Sequence, residues 1–187
     1  MEAFLVTLVT VAAAEVGDRT QLLSLMLVCC YRKPWPILGG IVAATLVNHL
    51  AAGAIGILLA DFLQPRVLDT VVAVSLIGMA GWTLIPDKQD AQPDCSARNV
   101  FLTTLVLFFM AEIGDKTQIA TTALAAAFQN LFAVVLGSTL GLIAANAPVV
   151  FLGAKFANRL PMKTIRYLAA AAFAVLGIIF AAKAIWG

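Results

Sequence analysis

Two short stretches hold most of the side chains that could do chemistry in this 187-residue chain: AEVGDRTQ at 14–21 and AEIGDKTQ at 111–118. Each supplies a glutamate and an aspartate (Glu15 and Asp18; Glu112 and Asp115), a hydroxyl (Thr20; Thr117), an amide (Gln21; Gln118) and one basic residue (Arg19; Lys116). The donors are all oxygens, which suits hard cations such as Ca²⁺, Mg²⁺ and Mn²⁺; sulfur is expected for Cu⁺ and common for Zn²⁺. Four carboxylates and two basic groups sum to −2, the charge that one divalent cation neutralises. Carboxylates crowded together away from water also take up protons more readily. A metal must displace those protons to bind, so one site would serve both ions in turn, and a proton gradient could drive cation export.

Within a continuous helix, Glu15, Asp18 and Gln21 would lie along one side, as would Glu112, Asp115 and Gln118. Glu15 with Arg19 and Glu112 with Lys116 are also i, i+4 pairs, the orientation that forms intrahelical salt bridges. One such pair could be a structural clasp. Two copies, each with an added aspartate, are harder to explain that way, because an ionisable group at the centre of a bilayer costs about 2.5–3.5 kcal/mol or more. Arg19 and Lys116 are expected either to be resident counter-charges that yield to metal or to be structural partners. Asn48 and Asn146 could add amide oxygens, or could merely tie helices together. The single histidine, His49, is more readily a packed helix residue than a ligand. Cys29, Cys30 and Cys95 have neither metal-ligand spacing nor the even count of a disulfide framework, and are read as small apolar fillers plus one loop thiol.

The elements that must position these residues are apolar. The chain is 62% hydrophobic and 12% charged, where soluble domains carry about 25% charged residues. Six apolar stretches, 3–30, 37–60, 67–86, 100–128, 131–157 and 165–187, each reach the roughly 20 residues that span a bilayer. Helices are the default there because lipid offers backbone groups no partners. The fold expected is an all-α integral membrane protein of six transmembrane helices, with the lipid bilayer as partner. The first stretch is too long and too acidic for a cleaved signal peptide. A net charge of +2 gives no reason to expect nucleic acid. Trp35, Trp82 and Trp186 fall near predicted interfaces, as an aromatic belt would, and Asp61, Asp69, Asp87, Asp90 and Asp94 read as solvated.

Both motifs sit near the middle of long stretches. As one helix, 3–30 would run about 42 Å, longer than the hydrocarbon core, so it must tilt, protrude or break, with Gly17 and Gly114 the natural places. The polar linker 86–98 divides the chain into a first three-helix repeat, 1–85, and a second, 99–187. Glu15 and Asp18 match Glu112 and Asp115 at an offset of 97, and Asn48 matches Asn146 at 98. An odd number of helices per repeat inverts the second against the first, the plan of many secondary transporters with a midplane ion site. Small residues along the second and fifth stretches (Gly39, Gly40, Ala44; Gly137, Ser138, Gly141) permit close helix approach. Arg32, Lys33, Lys88, Arg98, Lys155, Arg159, Lys163 and Arg166 fall on one side; only Arg66 and Lys183 fall on the other. Basic loops stay in the cytoplasm, which would leave both termini outside.

With these residues set out, the sequence resembles the six-helix calcium/manganese cation exchanger family, whose members carry two copies of E-x-G-D-[KR]-[TS]. The copies here are EVGDRT at 15–20 and EIGDKT at 112–117, and the likeness extends over essentially the whole chain. The resemblance implies export of Mn²⁺, in some members Ca²⁺, in exchange for protons, with no permanent cofactor and no enzymatic activity. It also implies Glu15, Asp18, Glu112 and Asp115 as ion ligands, with Thr20 and Thr117 in support. Without a long targeting region or central loop, the chain resembles the compact bacterial members of the inner, cytoplasmic membrane. Two other readings compete. A cation channel would use similar acids but would not need duplicated broken helices. An intramembrane aspartyl protease would show G-x-G-D and Y-D, whereas Glu stands two residues before each motif glycine and no Tyr-Asp pair exists.

Overall fold

The computed structural model describes residues 1–85, 95–153 and 161–186, without the side chain of Met162. Among them are eight helices and no strand: α1 (Glu2–Glu15), α2 (Arg19–Tyr31), α3 (Pro34–Phe62), α4 (Pro65–Thr83), α5 (Val100–Glu112), α6 (Lys116–Phe128), α7 (Leu131–Leu152) and α8 (Met162–Trp186). Four of them, α3, α4, α7 and α8 from Lys163 on, are long and apolar enough to cross a membrane, and α5 is a shorter apolar helix. Large apolar side chains face outward along them, among them Leu58, Phe62, Val74 and Ile178, as do Trp35 and Trp186 near the ends. The described residues are all-helical, and their apolar helices are those of a multi-pass membrane protein.

Local chemistry sets the helix ends. Pro34 and Pro65 stand in the first turns of α3 and α4, where a missing N–H costs nothing. Asn99 and Asn130 cap α5 and α7, each side-chain oxygen accepting a backbone N–H at 3.1 Å. Arg32 and Gln129 close α2 and α6 in the left-handed conformation, with φ of 51° and 48°.

The stretches 3–30 and 100–128 are not continuous helices. Each breaks at its motif, into α1 and α2 or α5 and α6, with Gly17 at φ 83° and Gly114 at φ 71°. Other residues rarely adopt that conformation, so the glycines permit the break. The expectation that Glu15, Asp18 and Gln21 share one helical face fails for this reason, as it does for the second copy.

Helix α1 lies along α7, α3 lies against α5 and α6, and α4 lies along α8. Two glycine contacts correspond. A Cβ on Gly40 would meet Thr104 Cβ at 2.7 Å and the Phe101 carbonyl at 2.8 Å; one on Gly137 would meet Thr7 Cβ at 3.1 Å and the Phe4 carbonyl at 2.6 Å. Each residue in the first set has its counterpart in the second exactly one motif spacing, 97 residues, away. In that register the counterpart of Asn146 is His49, which corrects the matching of Asn48 with Asn146. One apolar cluster joins α4 and α8 through Leu76, Met79, Phe173 and Phe180. Another gathers Leu27, Ile41, Phe108 and Leu142.

The cysteine expectation is also corrected. Cys30, at the end of α2, is bonded to Cys95 in the linker, and Cys29 is free and exposed. An odd count weighs against a fully paired framework but leaves room for one bridge and one thiol. Lys88, Asp87, Asp90, Asp94, Lys155 and Arg159 lie outside the described residues, as does most of the 86–98 linker.

Candidate cation site

Glu15 is the last residue of α1 and Glu112 the last of α5, so both stand at the negative ends of helix dipoles. Three residues on, Asp18 and Asp115 cap α2 and α6, their carboxylates accepting from the Thr20 and Thr117 N–H groups at 3.5 Å. The glutamines complete each turn. Gln21 Oε1 accepts from Gly17 N at 2.9 Å, and Gln118 Oε1 accepts from Gly114 N at 2.7 Å. The same spacing that would have aligned these residues along a helix instead closes a loop around the glycine amide.

The two motifs meet. Glu15, Asp18 and Asp115, all buried, each offer a carboxylate oxygen, and the three oxygens lie within 4.8 Å of one another. The basic residues do not pair within their own motifs, contrary to the i, i+4 expectation. Arg19 Nη2 lies 2.9 Å from Asp115 Oδ1, and Lys116 Nζ lies 2.5 Å from Asp18 Oδ1. The breaks are the reason: once α1 ends at Glu15, Arg19 begins a new helix and no longer lies one turn above that carboxylate. The two pairs differ in environment, because Arg19 is 32% exposed and Lys116 only 3%.

The second glutamate, Glu112, is also fully buried, and its Oε2 lies 3.5 Å from His49 Nε2. Neither oxygen of Glu112, nor Oε1 of Glu15, accepts a hydrogen bond. Buried acceptors left in this state are costly, and a cation is one group that could satisfy them. Thr20 Oγ1 donates to Glu15 Oε2 at 2.6 Å and Thr117 Oγ1 to Asp115 Oδ2 at 3.2 Å. The amides work mostly between helices. Gln21 Nε2 donates to the Ala145 carbonyl at 2.9 Å, Asn48 Nδ2 to the Phe109 carbonyl at 3.2 Å, and Asn146 Oδ1 accepts from Ser24 Oγ at 2.6 Å. Ser24 was not singled out in the sequence; one turn beyond Gln21 on α2, it was recognisable only once the helix was known to restart at Arg19.

The sequence profile described as the divalent cation/proton antiporter GDT1 matches residues 3–91 and 100–186. The chain belongs to the GDT1 family. It is a divalent cation/proton antiporter, a transporter and not an enzyme. Among GDT1 relatives, a Vibrio cholerae protein bearing the name "Putative manganese exporter" is 46% identical over 179 residues, 95% of this chain and 90% of that protein. The GDT1-like protein sll0615 of Synechocystis is 26% identical, covering 96% of each chain. The chloroplastic PAM71-homolog of Arabidopsis thaliana is 26% identical over 93% of this chain and 56% of that protein. No solved structure matches the chain.

Proposed function

We propose that this antiporter exports Mn²⁺ from the cytoplasm in exchange for protons, through one site built where the two broken motifs meet. The observation that carries the reading is the exchange of ion pairs, Arg19 to Asp115 and Lys116 to Asp18, around the carboxylate trio. Each basic residue cancels one aspartate of the other motif. Glu15 and Glu112 remain, and their joint charge is balanced equally by one divalent cation or by two protons. A metal arriving at Glu15, Asp18 and Asp115 competes with Arg19 and Lys116 for the aspartates, so the basic side chains act as resident counter-charges. Glu112 supplies the fourth carboxylate, and Thr20 and Thr117 orient the acids. Gln21, Gln118, Asn48 and Asn146 support the site by holding the turns and the neighbouring helices.

Mn²⁺ is preferred to Ca²⁺ as cargo on two grounds. The Vibrio relative bears a manganese name, and His49 places an imidazole nitrogen beside Glu112, a donor suited to transition metals.

In this reading the chain crosses the inner, cytoplasmic membrane six times, as inverted repeats 1–85 and 99–187 joined by 86–98, with both termini outside. The equivalent contacts of Gly40 and Gly137 support the repeat, and the basic loops support the orientation. Inversion brings α1 and α5 to the site from opposite membrane faces, as alternating access around a fixed midplane site requires.

The test is reconstitution in liposomes with an imposed pH gradient. Uptake of Mn²⁺, Ca²⁺ and Mg²⁺ is followed together with proton efflux, for wild type, Glu15→Gln and Glu112→Gln. Flux that follows the gradient, ranks Mn²⁺ first and vanishes in both variants is expected. Flux driven by voltage without proton movement would instead identify a channel, and flux indifferent to both substitutions would make the acids structural.

A further inference from the structure

Two recesses approach the site from the end of the bundle where α4 stops and α8 starts. The outer one, about 250 Å³, is lined by Leu84, Lys163, Arg166 and Tyr167. The inner one is a narrow crevice whose walls include Gly17, Asp18, Thr83, Lys116 and Arg166. Arg166, half-buried, lines both. Thr83 and Leu84 are consecutive residues at the end of α4, one on each recess. Thr83 is only 3% exposed, and its hydroxyl, on the wall of the inner crevice, has no hydrogen-bond partner.

We propose that these recesses form the access path to the cation site from the basic end of the protein, and that Arg166 is its gating residue. The proposal rests on the transport reading above and adds a route and a residue to it. A guanidinium stays charged at any physiological pH, and in a constricted, weakly solvated passage it repels a divalent cation far more strongly than it would in water. While Arg166 lies along the inner crevice, a cation from the outer recess meets that charge before it meets Asp18. When the long side chain withdraws toward Lys163 and Tyr167, the crevice opens and Thr83 presents an oxygen to a cation that has shed part of its water. Gating by Arg166 thereby discourages leakage of cation while Lys116 holds Asp18. Arg166 lines the path and belongs to neither crossed ion pair, so its loss alters access more than it alters the site.

Thiol reactivity at Thr83→Cys, on a Cys29→Ser background with the Cys30–Cys95 bond intact, reads the path directly. A cationic and a neutral methanethiosulfonate reagent of similar size are compared on the purified protein. Replacing one nearby fixed charge should raise the cationic-to-neutral rate ratio about tenfold in Arg166→Gln. Arg166→Lys, which keeps the charge, should restore the wild-type ratio, and Mn²⁺ should slow the cationic reagent. A ratio unchanged by Arg166→Gln overturns the proposal, as does one that Arg166→Lys fails to restore. In liposomes, Arg166→Gln should lower the KM for Mn²⁺ presented to the basic end several-fold while leaving kcat within about twofold; a fall in kcat with unchanged KM would also overturn it. The labelling ratio does not depend on turnover. Proton-coupled Mn²⁺ flux with an unmoved ratio therefore defeats the gate alone, while a shifted ratio in a protein that carries no Mn²⁺ defeats the cargo assignment alone.

Discussion

Arg19 pairs with Asp115, 2.9 Å away in the other motif, and not with Glu15, four residues back in its own. Its counterpart Lys116 pairs with Asp18 in the same crossed manner. Each motif is thus electrostatically incomplete without the other, and the crossed pairs join the two halves of the chain at the carboxylate trio.

The crossed pairs predict unequal costs. Removing one partner of a buried pair strands the other, at about 3–5 kcal/mol, so Lys116→Met should substantially lower the unfolding midpoint in detergent. Arg19→Met should cost distinctly less, because the Arg19 guanidinium is 32% exposed against 3% for Lys116, so water already weakens its attraction to the buried Asp115. A double-mutant cycle of Lys116→Met with Asp18→Asn should show strong coupling, and one with Glu112→Gln much weaker coupling. Equal coupling to both acids would contradict the crossed arrangement.

Gly40 and Gly137 should be equally intolerant of enlargement. A methyl group at either would press into the backbone of α5 or α1, and overpacking of this kind costs about 1–3 kcal/mol. Gly78→Ala is the control, since a Cβ there meets nothing within 4 Å. Thermal midpoints should fall for Gly40→Ala and Gly137→Ala and hold or rise for Gly78→Ala.

His49 should tune selectivity more than turnover. Its Nε2 lies 3.5 Å from Glu112 Oε2, and its counterpart at a spacing of 97 is Asn146. His49→Asn replaces an imidazole nitrogen with an amide oxygen, which favours the harder ion. Competition assays in liposomes should show the Mn²⁺-over-Ca²⁺ preference falling several-fold. An unchanged preference would leave His49 a packing residue.

The Cys30–Cys95 bond offers a test of orientation. Protein purified in air should alkylate at one thiol per chain, Cys29, and at all three after reduction. Cytoplasmic thiols are kept reduced. If the basic end faces the cytoplasm, acid-quenched cells should therefore yield protein with all three cysteines alkylated. A disulfide recovered from quenched cells would place that end in an oxidising compartment and reverse the proposed orientation.

The apolar stretches, the duplicated acids and the choice of oxygen donors are local properties, and the sequence alone determined them. Length and hydropathy decide which segments suit a membrane, and a fixed spacing of 97 between Glu15 and Glu112 is visible without coordinates. Gly17 and Gly114 even marked where the long stretches would loosen. The partners of Arg19 and Lys116 were another matter. Helical spacing pointed each to its own glutamate, and that inference fails once the helix ends, because a new axis sends the side chain elsewhere. The register that sets His49 against Asn146, the bond between Cys30 and Cys95, and the placing of Thr83 and Arg166 on one crevice beside Asp18 all depend on how separate helices pack. No local pattern encodes those distances, because they arise from the whole bundle closing around small residues and polar groups that lipid cannot satisfy.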